Sequence, residues 1–425
     1  MLKKINYGDK EAFAKVLEDR NVSVDPKITM TVLEILQKVK EEKDDALSFY
    51  TSKFDGVVIE DILVTQEEMD KAMSLVDDEF ISILEDAKRN IELYHKKQLK
   101  EGYEIVEADD VYLGQRVLPL QRVGIYVPGG SAAYPSTVLM DVIPAKIANV
   151  DEIIMVTPPQ KDGSVNPFIL ASAKVAGVDK IYKVGGAQAI GALAYGTQTI
   201  PKVDKVVGPG NVYVAEAKKL VYGQVDIDMI AGPSEILVIA DKDANPSFVA
   251  ADLMSQAEHD TMASSILVTT SEQLVEEVEK ELEKQIQELS RTSIMEQSFA
   301  NYGYVIVAST IEEAIEISNE IAPEHLELMV KNPKDYLPLV RNAGSVFLGY
   351  YTCESIGDYF GGTNHVLPTN GTARFYSPLG VDSFMKKSSY LHWSKEALQK
   401  EGAKIIRFAK QEGLDAHANA VRVRI

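Results

Sequence analysis

Four of the six histidines in this chain stand beside residues with which an imidazole can do chemistry. Gln256 and His259 are three positions apart on a stretch that reads as a helix opened by Asn245-Pro246. They share a face, with Asp252 one turn earlier. An amide oxygen and an imidazole on one face can form half of a metal site, although Q-x-x-H alone more often marks a hydrogen-bonded surface histidine. Neither H-E-x-x-H nor C-x-x-C occurs, so a zinc protease or a zinc ribbon has no support. Glu324 and His325 are adjacent and offer a base for water and a base for an alcohol. Neighbours on a strand point to opposite faces, so the two act together only if the backbone bends at the helix-to-strand transition expected there. Glu354 to His365 reads as a long polar loop that holds Asp358 and His365. Glu412 and His417 lie in a polar tail that no neighbouring element buries, and they gain a role only if that tail reaches another subunit. His95, next to Lys96 and Lys97, and His392, next to Trp393, read as surface or packing residues.

The elements that must position these groups follow from periodicity. Residues 1–100 read as helices. Val32, Ile35, Leu36 and Val39 recur at three- and four-residue steps between Thr29 and Tyr50, and Met69 to Ile91 repeat the pattern between Gln66 and Gln98. From about residue 120, short β-branched runs end in turn residues and alternate with helical stretches. Val123–Val127, Glu152–Val156, Lys180–Val184 and Lys205–Val207 form one set. Ser234–Ala240, Ser265–Thr269, Tyr304–Ala308 and Gly344–Leu348 form a second. Strands apolar on both faces, alternating with helices, imply parallel sheets covered by helices. The fold class is therefore α/β, with two units, N-terminal helices and a small, mostly helical C-terminal tail that ends in an extended Val421–Ile425.

Ligands of parallel sheets bind beyond the carboxyl ends of the strands. Pro128-Gly129-Gly130-Ser131, Gly185-Gly186-Ala187-Gln188 and Gly208-Pro209-Gly210-Asn211 each join a strand to a helix. Glycine permits close backbone approach, and the helix start offers N–H groups to phosphate. One such turn would only make the corner, but three in one sheet point to nucleotide binding. The G-x-G-x-x-G fingerprint is absent, so a dinucleotide must be held in another way.

Composition narrows the partners. The 425 residues carry 44 Lys plus Arg against 64 Asp plus Glu, a net charge of −20, which disfavours nucleic acid and anionic lipid. No apolar run approaches the roughly 18–20 residues of a membrane helix. A secretory signal is not expected after Met1-Leu2-Lys3-Lys4. Cys353 is the only cysteine, which fits a reducing cytoplasm.

Several stretches together resemble the histidinol dehydrogenase family. They are Gly124–Gly130, Gly185-Gly186-Ala187-Gln188-Ala189, Gly208–Asn211, Ala231-Gly232-Pro233-Ser234-Glu235, Gln256-Ala257-Glu258-His259-Asp260, Pro323-Glu324-His325-Leu326, Gly357-Asp358-Tyr359, Asn364–Thr369 and Ala416-His417-Ala418. The resemblance spans about residues 20–420 and implies oxidation of L-histidinol through L-histidinal to L-histidine. It further implies two NAD molecules used in succession, one Zn2+ per subunit and a homodimer with shared active sites. It makes Gln256, His259 and Asp358 zinc ligands, with His417 contributed by the partner subunit. It makes Glu324 the base for water and His325 the base for the alcohol. Tyr126, Gln188 and Asn211 match NAD-contacting positions. Ser234, Gln256, His259, His325, Asp358, Glu412, His417 and also His365 match positions around the substrate. The two α/β units then resemble incomplete Rossmann folds. The expected partition is residues 1–20 as an N-terminal segment, 21–122 with 234–378 as the unit of zinc and catalysis, 123–233 as the NAD unit, and 379–425 as a dimerisation tail. In one local departure, Cys353 stands where many members have proline. Other readings remain: an NAD-dependent aldehyde dehydrogenase with Cys353 as nucleophile, a zinc hydrolase, and a non-catalytic nucleotide-binding or assembly protein.

Overall fold

The computed structural model describes residues 1–20, 24–129 and 134–425. Gly130 and Ser131 of the first glycine turn lie outside the described residues. The strands, in chain order, are β1 (Lys3–Ile5), β2 (Tyr103–Glu107), β3 (Val111–Pro119), β4 (Arg122–Tyr126), β5 (Glu152–Thr157), β6 (Lys180–Lys183), β7 (Lys205–Val207), β8 (Asp226–Ile227), β9 (Glu235–Ala240), β10 (Ser264–Thr269), β11 (Gly303–Val307), β12 (His325–Met329), β13 (Ser345–Leu348) and β14 (Met385–His392). Two all-parallel sheets result, in the orders β1-β11-β10-β9-β12-β13 and β6-β5-β4-β7-β8.

Both sheets are buried on two faces because their strands alternate one apolar set with another. On β5, Ile153 and Met155 join Leu139, Leu170, Leu84 and Ile91 on one side. Ile154 and Val156 join Val32, Leu36, Ile190 and Leu193 on the other. On β9, Ile236 and Val238 meet Leu253, Val278 and Phe299, while Leu237 and Ile239 meet Ile315, Ile317 and Phe13. The α/β architecture expected from the sequence is thus observed. The helices within residues 26–95, grouped by sequence with 234–378, pack on the five-stranded sheet, and β1 of the N-terminal segment joins the six-stranded one.

Four local expectations are corrected. The pattern between Thr29 and Tyr50 is two helices, Pro26–Glu42 and Asp44–Phe54, hinged at Lys43 with φ 56°. The buried Ala46, Leu47 and Tyr50 continue the spacing across the break and hide it. β2 and β3, within residues 103–119, form a third, antiparallel sheet with β14, ordered β14-β3-β2, so a tail expected to be mostly helical contributes a strand. β2 and most of β14 are exposed, so they carry no apolar run to betray them. Glu354–Tyr359 is a short helix rather than loop. The alternating Val421–Ile425 is not extended: Asp415–Arg422 is helical. Val421 and Ile425 lie against Gly402 of the preceding helix, so the alternation serves helix packing.

His95 proves to be a core residue, fully buried, with Nδ1 2.9 Å from the Ile91 carbonyl. Burial lowers its proton affinity, the Ile91 bond opposing. A histidine whose folded pKa lies below its unfolded value contributes stability that is whole above about pH 6.5 and is lost as pH falls. The urea midpoint is expected to drop between about pH 7.5 and 5.5, and His95→Gln to flatten part of that slope. An unchanged slope would remove His95 from the account.

Candidate active site

The catalytic candidates stand at the amino end of β12, not beyond a carboxyl end as the parallel-sheet rule suggested. The helix Ile311–Ile321 ends at Ala322 in the left-handed conformation, φ 53°, and the chain turns directly into the strand. That bend brings two sequence neighbours onto one partner, Glu235, the first residue of β9. The Glu235 N–H donates to Glu324 Oε2 at 2.8 Å, and His325 Nδ1 donates to the Glu235 carbonyl at 2.9 Å. The second bond leaves Nε2 as the reactive nitrogen of His325.

Around Nε2 stand Asp358 Oδ1 at 3.7 Å and Glu354 Oε1 at 3.9 Å. The ligand atoms of His325, Glu354 and Asp358 all lie within 4.8 Å of one another. Glu354 went unnoticed in the sequence, although Glu354 and Asp358 are four apart and face the same way once the loop is a helix. Glu327 Oε1 accepts the Glu354 N–H at 2.8 Å and so anchors the start of that helix.

Burial acts first on every group here. It pushes the Glu324 carboxyl up to about 8, against the pull of His325. It acts to lower His325, but the carboxylates of Glu324, Asp358 and Glu354 outweigh it and raise the imidazole to about 10. Asp358 is held well below the usual carboxylate range: burial opposes this, and His325 and His365 overcome it. Burial lowers His259 and His365, with Asp358 opposing in both.

Gln256 closes the helix Pro246–Ala257, which returns from β9 to the start of β10 and so reaches the amino ends of the strands. Its amide is fully buried, and neither Nε2 nor Oε1 has a hydrogen-bond partner. An orphaned buried amide costs about 1–3 kcal/mol unless something binds it. His259 follows, half-buried. Amide oxygen, imidazole nitrogen and carboxylate oxygen are a donor set suited to a borderline cation such as zinc. Ser234 is half-buried immediately before Glu235. His365 lies between the Asp358 carbonyl, 3.0 Å from Nδ1, and Thr137 Oγ1, 3.3 Å from Nε2. His417 and Glu412 are not brought into this cluster; both are exposed on the C-terminal helices Lys395–Gln411 and Asp415–Arg422 and the turn joining them.

The glycine turns sit at the carboxyl ends of β4, β6 and β7. The Tyr126 hydroxyl accepts the Gly186 N–H at 3.1 Å, and burial raises the phenol to about 12. Gln188 is buried in the first turn of its helix, its Oε1 without a partner. Asn211 caps the helix Val212–Val221, accepting from Tyr213 and Val214. Gly208 has φ 111°, and a Cβ there would stand 2.1 Å from the Tyr126 carbonyl oxygen. A buried Lys218–Asp228 ion pair holds this turn: Lys218 donates to the Gly208 carbonyl and the Gly208 N–H to Asp228. Gly208→Ala is therefore expected to cost at least about 1–3 kcal/mol, read as a lowered urea midpoint. A wild-type midpoint would contradict the clash.

The Cys353 thiol is half-buried, and burial raises its pKa, the reverse of an activated thiolate.

The histidinol dehydrogenase family model matches residues 18–425. A histidinol dehydrogenase of Clostridium acetobutylicum is 57% identical over 98% of this chain and 96% of its own length. One of Listeria monocytogenes serotype 4b is 53% identical over 96% of this chain and 95% of its own. The crystal structure of histidinol dehydrogenase from Elizabethkingia anophelis superposes with a TM-score of 0.94 at 44% identity, covering 100% of this chain and 98% of that one. The match in sequence and in fold runs through every element that carries the site, and the chain belongs to the histidinol dehydrogenase family of oxidoreductases.

Proposed function

We propose that the protein oxidises L-histidinol through L-histidinal to L-histidine, using two NAD molecules in turn and one zinc ion per subunit. The observation that carries this reading is the pair of adjacent bases, Glu324 and His325, held on the Glu235 backbone beside Asp358.

His325 Nε2 takes the alcohol proton in the first oxidation. Glu324 removes a proton from water as that water adds to the aldehyde carbonyl, and the hydrate is then oxidised in its turn. The nicotinamide supplies the hydride acceptor for both oxidations. Gln256, His259 and Asp358 are the zinc ligands of one subunit, and His417 is the fourth, from the other copy of a homodimer. When bound, the ion would orient the substrate and add positive charge that lowers the proton affinity of His325. Ser234, Glu412 and His365 join those ligands and His325 around the substrate. Tyr126, Gln188 and Asn211 contact NAD, where the buried, unpaired amide oxygen of Gln188 offers an acceptor.

The exposure of His417 and Glu412 supports the shared site, since side chains that stand free of their own chain's cluster can complete another's. Residues 379–425 are the dimerisation element. No helix among the described residues is long and apolar enough to cross a membrane. Together with the single cysteine and the charge of −20, this supports a cytoplasmic enzyme without nucleic-acid partners.

The test follows NADH formation by the purified protein with L-histidinol, before and after a chelator. NADH is expected to form, to stop on metal removal and to return with zinc. Absence of NADH from metal-replete protein would end the proposal.

A further inference from the structure

We propose that Arg20 is a positioning residue for the Glu324–His325 pair, acting through Glu235. Arg20 follows the helix Lys10–Asp19, and it is buried with its guanidinium on the Glu235 carboxylate. Nε donates to Glu235 Oε1 at 3.0 Å and Nη2 to Glu235 Oε2 at 2.6 Å, a two-point fork on one carboxylate. The third nitrogen, Nη1, donates to the Ile321 carbonyl at 2.7 Å. Ile321 is the last residue of the helix that leads into Glu324 and His325.

One planar group thus ties together the two pieces of chain that must stay in register. On one side is Glu235, whose N–H and carbonyl grip Glu324 and His325. On the other is the helix end from which those two residues emerge. Both side chains of the pair are oriented by one peptide segment, so a rotation of Glu235 would turn the Glu324 carboxylate and the His325 ring together. Arginine suits the task because its donors are fixed in a fork that matches a carboxylate, which lysine cannot reproduce.

Stability alone accounts poorly for this pair. Arg20 and Glu235 side chains are each only 4% exposed, and an ion pair so buried is often matched by apolar residues of similar volume. Geometry does account for it. A shift of about 1 Å in a reacting group can cost on the order of 10²-fold in rate.

The inference rests on the reading of Glu324 and His325 as the bases, and the experiment separates the two. Steady-state kinetics on the full-length, zinc-loaded enzyme would compare Arg20→Ala, the neutral pair Arg20→Met with Glu235→Gln, and Glu324→Gln. Arg20→Ala is expected to lose about 10–10²-fold in kcat, with the KM for histidinol and the zinc content little changed. Non-denaturing guanidinium is expected to restore part of that rate by filling the vacated fork. The neutral pair leaves no buried charge unpaired, so it keeps the positioning test open if Arg20→Ala folds poorly; it should show the same kcat loss. A folded variant of either kind with wild-type kcat overturns the inference, as does a loss carried by KM and zinc content with no guanidinium rescue. If Glu324→Gln is impaired and the Arg20 variants are not, only this inference falls. If Glu324→Gln is fully active, the reading beneath it falls.

Discussion

Glu324→Gln is expected to slow oxidation of L-histidinal by about 10²–10⁴-fold, the usual contribution of a general base, and oxidation of L-histidinol far less. Only the second half of the reaction consumes water. Glutamine has nearly the same shape, and its amide oxygen can still accept the Glu235 N–H that now reaches Oε2 at 2.8 Å. The substitution therefore removes basicity while the hydrogen bond from His325 to the Glu235 carbonyl remains. Burial, with His325 opposing, places the carboxyl at about 8, which makes its ionised form a stronger base than an exposed glutamate. The aldehyde half-reaction should accordingly rise with pH as Glu324 gives up its proton around pH 8. Single-turnover assays started from histidinol and from histidinal would measure both halves. An equal loss in each would deny Glu324 its role with water.

His259→Ala is expected to lower zinc content and activity together. Loss of an outer-sphere partner costs about 10–100-fold in metal affinity, and loss of a ligand should exceed that. The same variant would leave the buried, unpartnered Gln256 amide without the neighbour that lets it share a cation. Metal analysis after dialysis gives the measurement, and full occupancy in the variant would remove His259 from the ligand set. The shared-site proposal extends this test. Inactive His417→Ala mixed with inactive Glu324→Gln should regain part of the activity, because one site of a hybrid dimer then holds wild-type residues from both subunits. No recovery after demonstrated subunit exchange would place the whole site in one chain.

The elements that the sequence revealed best are those whose order is local. The helix Pro246–Ala257 starts where Asn245-Pro246 indicated, with Asn245 accepting from the Ser247 N–H. Most strands of the parallel sheets stood out because burial on two faces demands unbroken β-branched runs, as in β9 and β10, whereas the short edge strands β1 and β8 did not. β2 and β14 escaped notice because exposed strands need no such run. The third sheet exists through pairing between residues far apart in the chain, such as Tyr390 with Gly114, where the tyrosine ring covers the glycine.

By itself the sequence determined the α/β class, the glycine turns and the chemical identity of the groups available for proton transfer and metal binding. Residue type and short-range periodicity carry that information. The tertiary structure alone decided that Glu324 and His325 converge on the backbone of one residue, that Glu354 joins Asp358, and that an arginine some 215 positions before Glu235 clamps it. Those facts are distances between chain segments, set by sheet register and by the cost of leaving a buried charge or amide unpaired. No local pattern encodes them.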